Sequence, residues 1–159
     1  MIVQHMNPRH DSLMADILSR YTLMSAKQAE EGDILSPSTE YTAKPDRHLL
    51  VNPNGMISLA SSGLVNFVRP SADLLFESIA ASYRDRAIAV VLTGTGKDGT
   101  MGVPAIKNMH GTVIVHNEAT SEFFGMPDSV IKTENADFIL SIDEVPSALV
   151  SLVNGGYIS

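Results

Sequence analysis

The sequence predicts an α/β fold: a doubly wound, mostly parallel sheet with helices on both faces and a small antiparallel meander. Three observations carry that expectation. From Ser71 onward, apolar β-branched runs alternate with segments of helical spacing, and such alternation builds parallel sheets through right-handed crossovers. The run Ala87-Ile88-Ala89-Val90-Val91-Leu92 is apolar throughout, as a strand buried on both faces must be. It gives way at once to Thr93-Gly94-Thr95-Gly96-Lys97-Asp98-Gly99-Thr100. A glycine loop between strand and helix lies at the carboxyl edge, where open sheets place their chemistry.

The elements follow in order. Met1-Ile2-Val3-Gln4-His5-Met6 reads as the tail of a strand, broken by Asn7-Pro8 because the residue before proline avoids helix. Residues 11–21 place Leu13, Met14, Ile17 and Leu18 on one helical face. Residues 25–38 read as a connector around one short strand. Tyr41-Thr42-Ala43, His48-Leu49-Leu50-Val51 and Met56-Ile57-Ser58-Leu59 form the expected meander, with Asn52-Pro53-Asn54-Gly55 as a turn. Ser71 is the expected N-cap of a helix carrying Asp73 in its first turn, then Leu74, Leu75, Ile79 and Tyr83. A helix near residues 102–109 is expected to end at Gly111. Thr112-Val113-Ile114-Val115-His116 is a buried strand. Gly125-Met126-Pro127 is expected to split residues 119–130 into two short helices. Residues 137–140 form a last strand and residues 145–153 a last helix.

Composition narrows the function. The chain has 159 residues, enough for one domain with one core, and its 44% hydrophobic and 18% charged residues describe an ordinary globular protein. The net charge of −7 argues against nucleic acid as a partner, because phosphate contacts need clustered Lys and Arg. The absence of cysteine excludes disulfides, a thiol nucleophile and thiolate metal sites. No apolar run approaches the ~20 residues of a membrane span, and no basic-then-apolar leader opens the sequence. No membrane insertion and a cytoplasmic location are therefore expected. No histidine pair has metal-helix spacing, so no metal and no cofactor are expected.

Two constellations carry chemistry. Gly94, Gly96 and Gly99 match a dinucleotide fingerprint with Glu118 downstream as the ribose acid, but they lie past the middle of the chain and enclose Asp98. Nucleotide binding is a distant alternative. His5 ends a strand on the same sheet edge as Asp98 if the strands are parallel, which suggests the base and orienting acid of a triad, or else an ion pair or a helix cap. His48 and His116 read as structural, His10 and His110 as solvated. A nucleophile elbow, Gly-x-Ser-x-Gly, is missing. Ser61-Ser62-Gly63 sits in a loop, Ser71 reads as a cap, and Ser12, Ser25 and Ser121 lack a glycine setting.

Taken together, several segments resemble the catalytic domain of the chemotaxis protein-glutamate methylesterases, the CheB-type family. They are Gln4-His5-Met6, Glu30-Glu31-Gly32, Pro45-Asp46-Arg47-His48, Arg69-Pro70-Ser71-Ala72-Asp73-Leu74-Leu75-Phe76, Leu92 with the whole glycine loop, and Asn117-Glu118-Ala119 followed by Phe124-Gly125-Met126-Pro127. The resemblance implies a serine hydrolase that removes methyl groups from glutamyl esters of methyl-accepting chemotaxis receptors and deamidates receptor glutamines. It implies His5 as general base and Asp98 as its orienting acid. It places the backbone of Thr95 and Gly96 on the oxyanion side, and Arg69, Asn117 and Glu118 on the walls of the substrate site. Thr95 stands where the family often carries Met.

The family's nucleophilic Ser lies upstream of the segment holding His5. The resemblance therefore predicts that residues 1–159 are a single, N-terminally incomplete methylesterase-like domain without a receiver domain, and that hydrolysis is impaired. The alternative is a non-catalytic receptor-binding remnant. In a doubly wound sheet the first strand lies in the middle, so its loss is expected to part the strand of His5 from that of Asp98.

Overall fold

The computed structural model describes residues 1–6 and 12–156; the Asn7-Pro8 break, His10 and Asp11 lie outside the described residues. The carboxyl half follows the expected alternation. Strand β5 (Ile88–Val91) pairs in parallel with β6 (Thr112–His116), which pairs in parallel with β7 (Phe138–Leu140). Helices α2 (Ala72–Tyr83), α3 (Gly102–Asn108), α4 (Gly125–Ile131) and α5 (Val145–Val153) surround this sheet.

The two-residue period of the strands assigns the faces. Ala89, Val91, Val113 and Val115 point to one side and pack with Ala80, Val103, Ile106 and Val130 from α2, α3 and α4. Ile114, with Ile88 and Val90 beside it, points to the other and meets Val145 and Ala148 of α5. Burial on both faces is why these strands are apolar without interruption.

The amino half differs from the expected meander. Helix α1 (Met14–Leu18) is followed by β1 (Ser25–Gln28), which pairs in parallel with β2 (Thr39–Thr42). The antiparallel part is therefore a hairpin of β3 (His48–Val51) and β4 (Ile57–Ala60), extended by one bridge between Ile34 and Met56. Tyr41 and Ala43 lie with Ala29, Leu49, Val51, Ile57 and Leu75 of α2 in a second core, which β2 shares with the hairpin although its ladder partner is β1. Only Ile2 of the first six residues makes a ladder contact, in parallel with Thr42 through bonds from Ile2 N–H to Tyr41 O and Ala43 N–H to Ile2 O, each 2.8 Å.

Two other boundaries move for identifiable reasons. Gly125-Met126-Pro127 opens α4 instead of interrupting it, since proline in a first turn forfeits no helical hydrogen bond. A separate 3-10 turn, Glu118–Thr120, precedes it. At the end of α3 the left-handed residue is His110, with φ 65°, and not Gly111. Gly111 is needed for closeness, because a Cβ there would stand 2.7 Å from Ile106 Cγ2 and 2.8 Å from Ala87 O. Among the described residues no helix is long and apolar enough to cross a membrane.

Candidate active site

The site begins with a carboxylate that β5 delivers to the sheet edge. Gly96 and Gly99 take φ of 93° and 100°, which only glycine adopts at ease, and the resulting loop turns Asp98 back under the start of α2. The Asp98 side chain is only 2% exposed. Its Oδ1 accepts from Ser71 Oγ at 2.8 Å and from Asp73 N–H at 3.1 Å. Its Oδ2 accepts from Ala72 N–H at 2.6 Å and from His5 Nε2 at 2.7 Å. Asp98 is thus at once the cap of α2 and the partner of His5.

Ser71 occupies the N-cap position as expected, but its hydroxyl points at Asp98 rather than at its own helix. Burial raises the Asp98 carboxyl, yet the four hydrogen bonds, that from His5 foremost, outweigh it and hold Asp98 below the usual carboxylate range. The helix N-terminus adds a favourable field for the anion.

A second carboxylate interlocks with the first. Asp73, 1% exposed, accepts from Met101 N–H at 2.9 Å and Gly102 N–H at 2.8 Å, so that it caps α3. Burial raises its carboxyl, and the bonds from Gly102 and its neighbours offset only part of this beside the negative Asp98. Two N–H groups at the start of α3, which a pyrophosphate on a glycine fingerprint would take, are thus already occupied by Asp73. Gly94 is also closed off: its N–H donates to Phe123 O at 2.8 Å, and a Cβ would meet Met126 Cε at 3.0 Å. Gly94 thus packs the loop against Met126 of α4.

The His5 segment and β5 share no ladder contact among the described residues, yet the side chains meet. The two strands stay parted, and among the described residues side chains alone join them. With Nε2–H donating to Asp98, the lone pair of His5 is on Nδ1, and the imidazole is 30% exposed. His5, Met6, Asp46, Leu64, Phe67, Val68 and Arg69 line a cavity of about 210 Å³. That is below the ~300–1,000 Å³ typical of pockets that enclose a drug-sized molecule.

Arg69 forms one wall. Its Nε donates to Asp46 Oδ1 at 2.8 Å, and its Nη1 to the carbonyls of Ser61 and Ser62 at 3.2 and 2.7 Å. A lysine offers one point charge where this fork reaches three partners. Arg69→Lys is therefore expected to speed proteolytic cleavage around residues 61–63 severalfold while lowering global stability by no more than about 1 kcal/mol, given the exposure of Asp46. Limited proteolysis beside a thermal melt checks both.

The remaining expected residues are placed less centrally. Thr95 and Gly96 are exposed in the loop, three and two residues before Asp98, and Ser129 Oγ donates to Gly96 O at 3.3 Å. Asn117 and Glu118 stand at the same carboxyl edge but do not line the cavity. Asn117 Oδ1 instead caps the short turn through Thr120 N–H at 3.1 Å, and Glu118 is exposed. His48 and His116 are structural, bonded to Gly63 O and Thr120 Oγ1, and His110 is exposed. Sequence reasoning missed Asp46, Asn66 and Phe67. The capping role of Asp73 was foreshadowed by its first-turn position, but the helix it caps is α3.

An open α/β domain with a His–carboxylate pair at the carboxyl edge, the carboxylate buried and the imidazole facing a cavity, is an arrangement that acid–base hydrolases use. Comparison with known proteins gives the class a family. Residues 1–149 match the CheB methylesterase family, and the chain belongs to it. It is 36% identical over 98% of its length to a protein-glutamate methylesterase/protein-glutamine glutaminase of Moorella thermoacetica, and 39% identical over 96% to that of Thermotoga maritima. The chain spans 38% and 45% of these two relatives. The crystal structure of the Thermotoga maritima CheB methylesterase catalytic domain superposes with a TM-score of 0.90 at 38% identity, covering 94% of this chain and 81% of that one.

Proposed function

We propose that this chain carries the acid–base part of a protein-glutamate methylesterase site, acting in the cytoplasm on glutamyl methyl esters, and on glutamines, of methyl-accepting chemotaxis receptors. The observation that supports it most is the 2.7 Å bond between His5 and the buried Asp98. The chemistry is acyl transfer. A serine hydroxyl attacks the γ-carbonyl, His5 Nδ1 takes its proton and passes it to the departing methanol, or to ammonia from a glutamine. Water then repeats the step and frees the glutamate. Asp98 holds the ring and stabilises the imidazolium. Backbone N–H groups near Thr95 and Gly96 face the oxyanion, and Arg69 shapes the wall.

A second reading, a receptor-binding module without turnover, is favoured by one observation: among the described residues, no serine or threonine hydroxyl hydrogen-bonds to His5. Ser71, the serine nearest the pair in bonding, is committed to Asp98. Methanol release from methyl-labelled receptor membranes separates the two. The enzyme reading expects release that falls at least about 10³-fold in His5→Ala, the loss typical of a missing triad member. Co-sedimentation with the membranes without release supports the binding module. Neither release nor binding contradicts both.

A further inference from the structure

The loop between β4 and α2 is held at four points. Arg69 ties Ser61 and Ser62, His48 Nε2 bonds Gly63 O at 3.0 Å, and Asn66 Nδ2 donates to Asp73 Oδ2 at 2.9 Å. Val65 and Val68 exchange both backbone hydrogen bonds, at 3.1 and 2.9 Å. The two residues between them, Asn66 and Phe67, have φ of 48° and 67°. This is a two-residue reverse turn with positive φ at both central positions, a place that ordinarily takes Asn-Gly.

Asn is at home there and phenylalanine is not. Phe67 gains no burial in exchange, since it is 93% exposed, and Leu64 beside it is 59% exposed. Folding gives no reason for an aromatic ring at this point. Position does: both residues line the cavity that contains His5. The Asn66 bond to Asp73 also fixes the turn to the same pair of helix caps that fixes Asp98.

We propose that Phe67, backed by Leu64, is the residue that grips a protein substrate, packing on an apolar side chain that flanks the reacting glutamyl group. The inference rests on the methylesterase reading above. A substrate that brings its γ-carbonyl to His5 lays its neighbouring residues over this rim. A rigid aromatic on a pre-ordered loop loses little freedom when it docks, and aromatic anchors of this kind dominate recognition surfaces. Arg69 and Asp46 neutralise each other, so the rim offers apolar contact rather than net charge. The site thereby selects a glutamyl ester by its protein context.

The test is a fluorescence-anisotropy titration of two fluorescein-labelled peptides, each with a central glutamate γ-methyl ester, one flanked by leucines and one by serines. The wild-type chain is expected to bind the leucine peptide about tenfold more tightly. Phe67→Gly, which suits positive φ and so keeps or raises the melting temperature, is expected to bind both alike at the weaker level. Phe67→Tyr keeps the preference. A Phe67→Gly chain that still prefers the leucine peptide overturns the proposal and leaves the methylesterase reading intact. A wild type that binds neither peptide, or both alike, overturns the proposal, while methanol release from receptor membranes decides the methylesterase reading separately. Wild-type self-association lost in Phe67→Gly assigns the ring to a contact between copies and overturns the proposal.

Discussion

Asp98→Ala is expected to lower stability by about 3–5 kcal/mol, and to free the His5 ring at the same time. The size follows from what the carboxylate does. It satisfies the Ala72 and Asp73 N–H groups at the start of α2, and the buried Ser71 hydroxyl. A lost cap costs about 0.5–2 kcal/mol, and each buried group left unpaired about 1–3 kcal/mol. Chemical denaturation of wild type and variant measures the difference.

The pH dependence separates charge from shape, with Asp98→Asn as the reference. Asp98 is held below the ordinary carboxylate value of 3.8, so its stabilisation is complete above that value. It fades as pH falls through the folded-state value. The stability gap between wild type and Asp98→Asn is therefore expected to be widest near neutrality and to close below about pH 4. Asp73, whose carboxyl is raised chiefly by burial, has the opposite slope in both proteins, and only the smaller part due to the Asp98 charge is lost in Asp98→Asn. A gap that stays constant with pH contradicts the assignment of an ionised Asp98.

Gly102→Ala is expected to be the most damaging single-methyl addition in the domain. A Cβ at Gly102 would lie 2.7 Å from Asp73 O, 2.9 Å from Asp73 Cα and 2.7 Å from Phe76 Cβ. Two of these are backbone atoms of α2, so α2 and α3 must move apart. Overpacking of this kind costs about 1–3 kcal/mol. Here the movement also stretches the Asp73 bonds to Met101 and Gly102, and through Asp73 it disturbs the seat of Asp98. We expect a loss of about 3 kcal/mol or more with weakened binding of the leucine peptide. Gly96→Ala tests the other reason for a glycine. Nothing lies within 4 Å of its added Cβ, so its cost comes from φ alone.

How far the sequence reveals the molecule depends on which force places each part. The strands β5 and β6 were legible because double-sided burial writes an unbroken apolar run. Helix α2 was legible because Ser71 and Asp73 announce its start. The partner of β2 was not: Tyr41 and Ala43 are equally apolar beside β1 or beside β3, and only the three-dimensional pairing with β1 separates the two. The His5–Asp98 pair was suggested by strand ends and strengthened by resemblance. The double duty of Asp98, cap and partner together, depends on how the glycine loop turns. Phe67 left no sequence signal, since an exposed aromatic in a turn differs from its neighbours only once its φ and the cavity beside it are known.

On the methylesterase reading, Asp98 fixes His5 with Nε2 protonated and leaves Nδ1 free to act as base. Long-range ¹⁵N–¹H correlation of the His5 imidazole, at a pH where the ring is neutral, reads that tautomer directly. The Nε2–H form is expected in the wild type, with a loss of that preference in Asp98→Asn. An Nδ1–H ring in the wild type, or the same tautomer in both proteins, would contradict it.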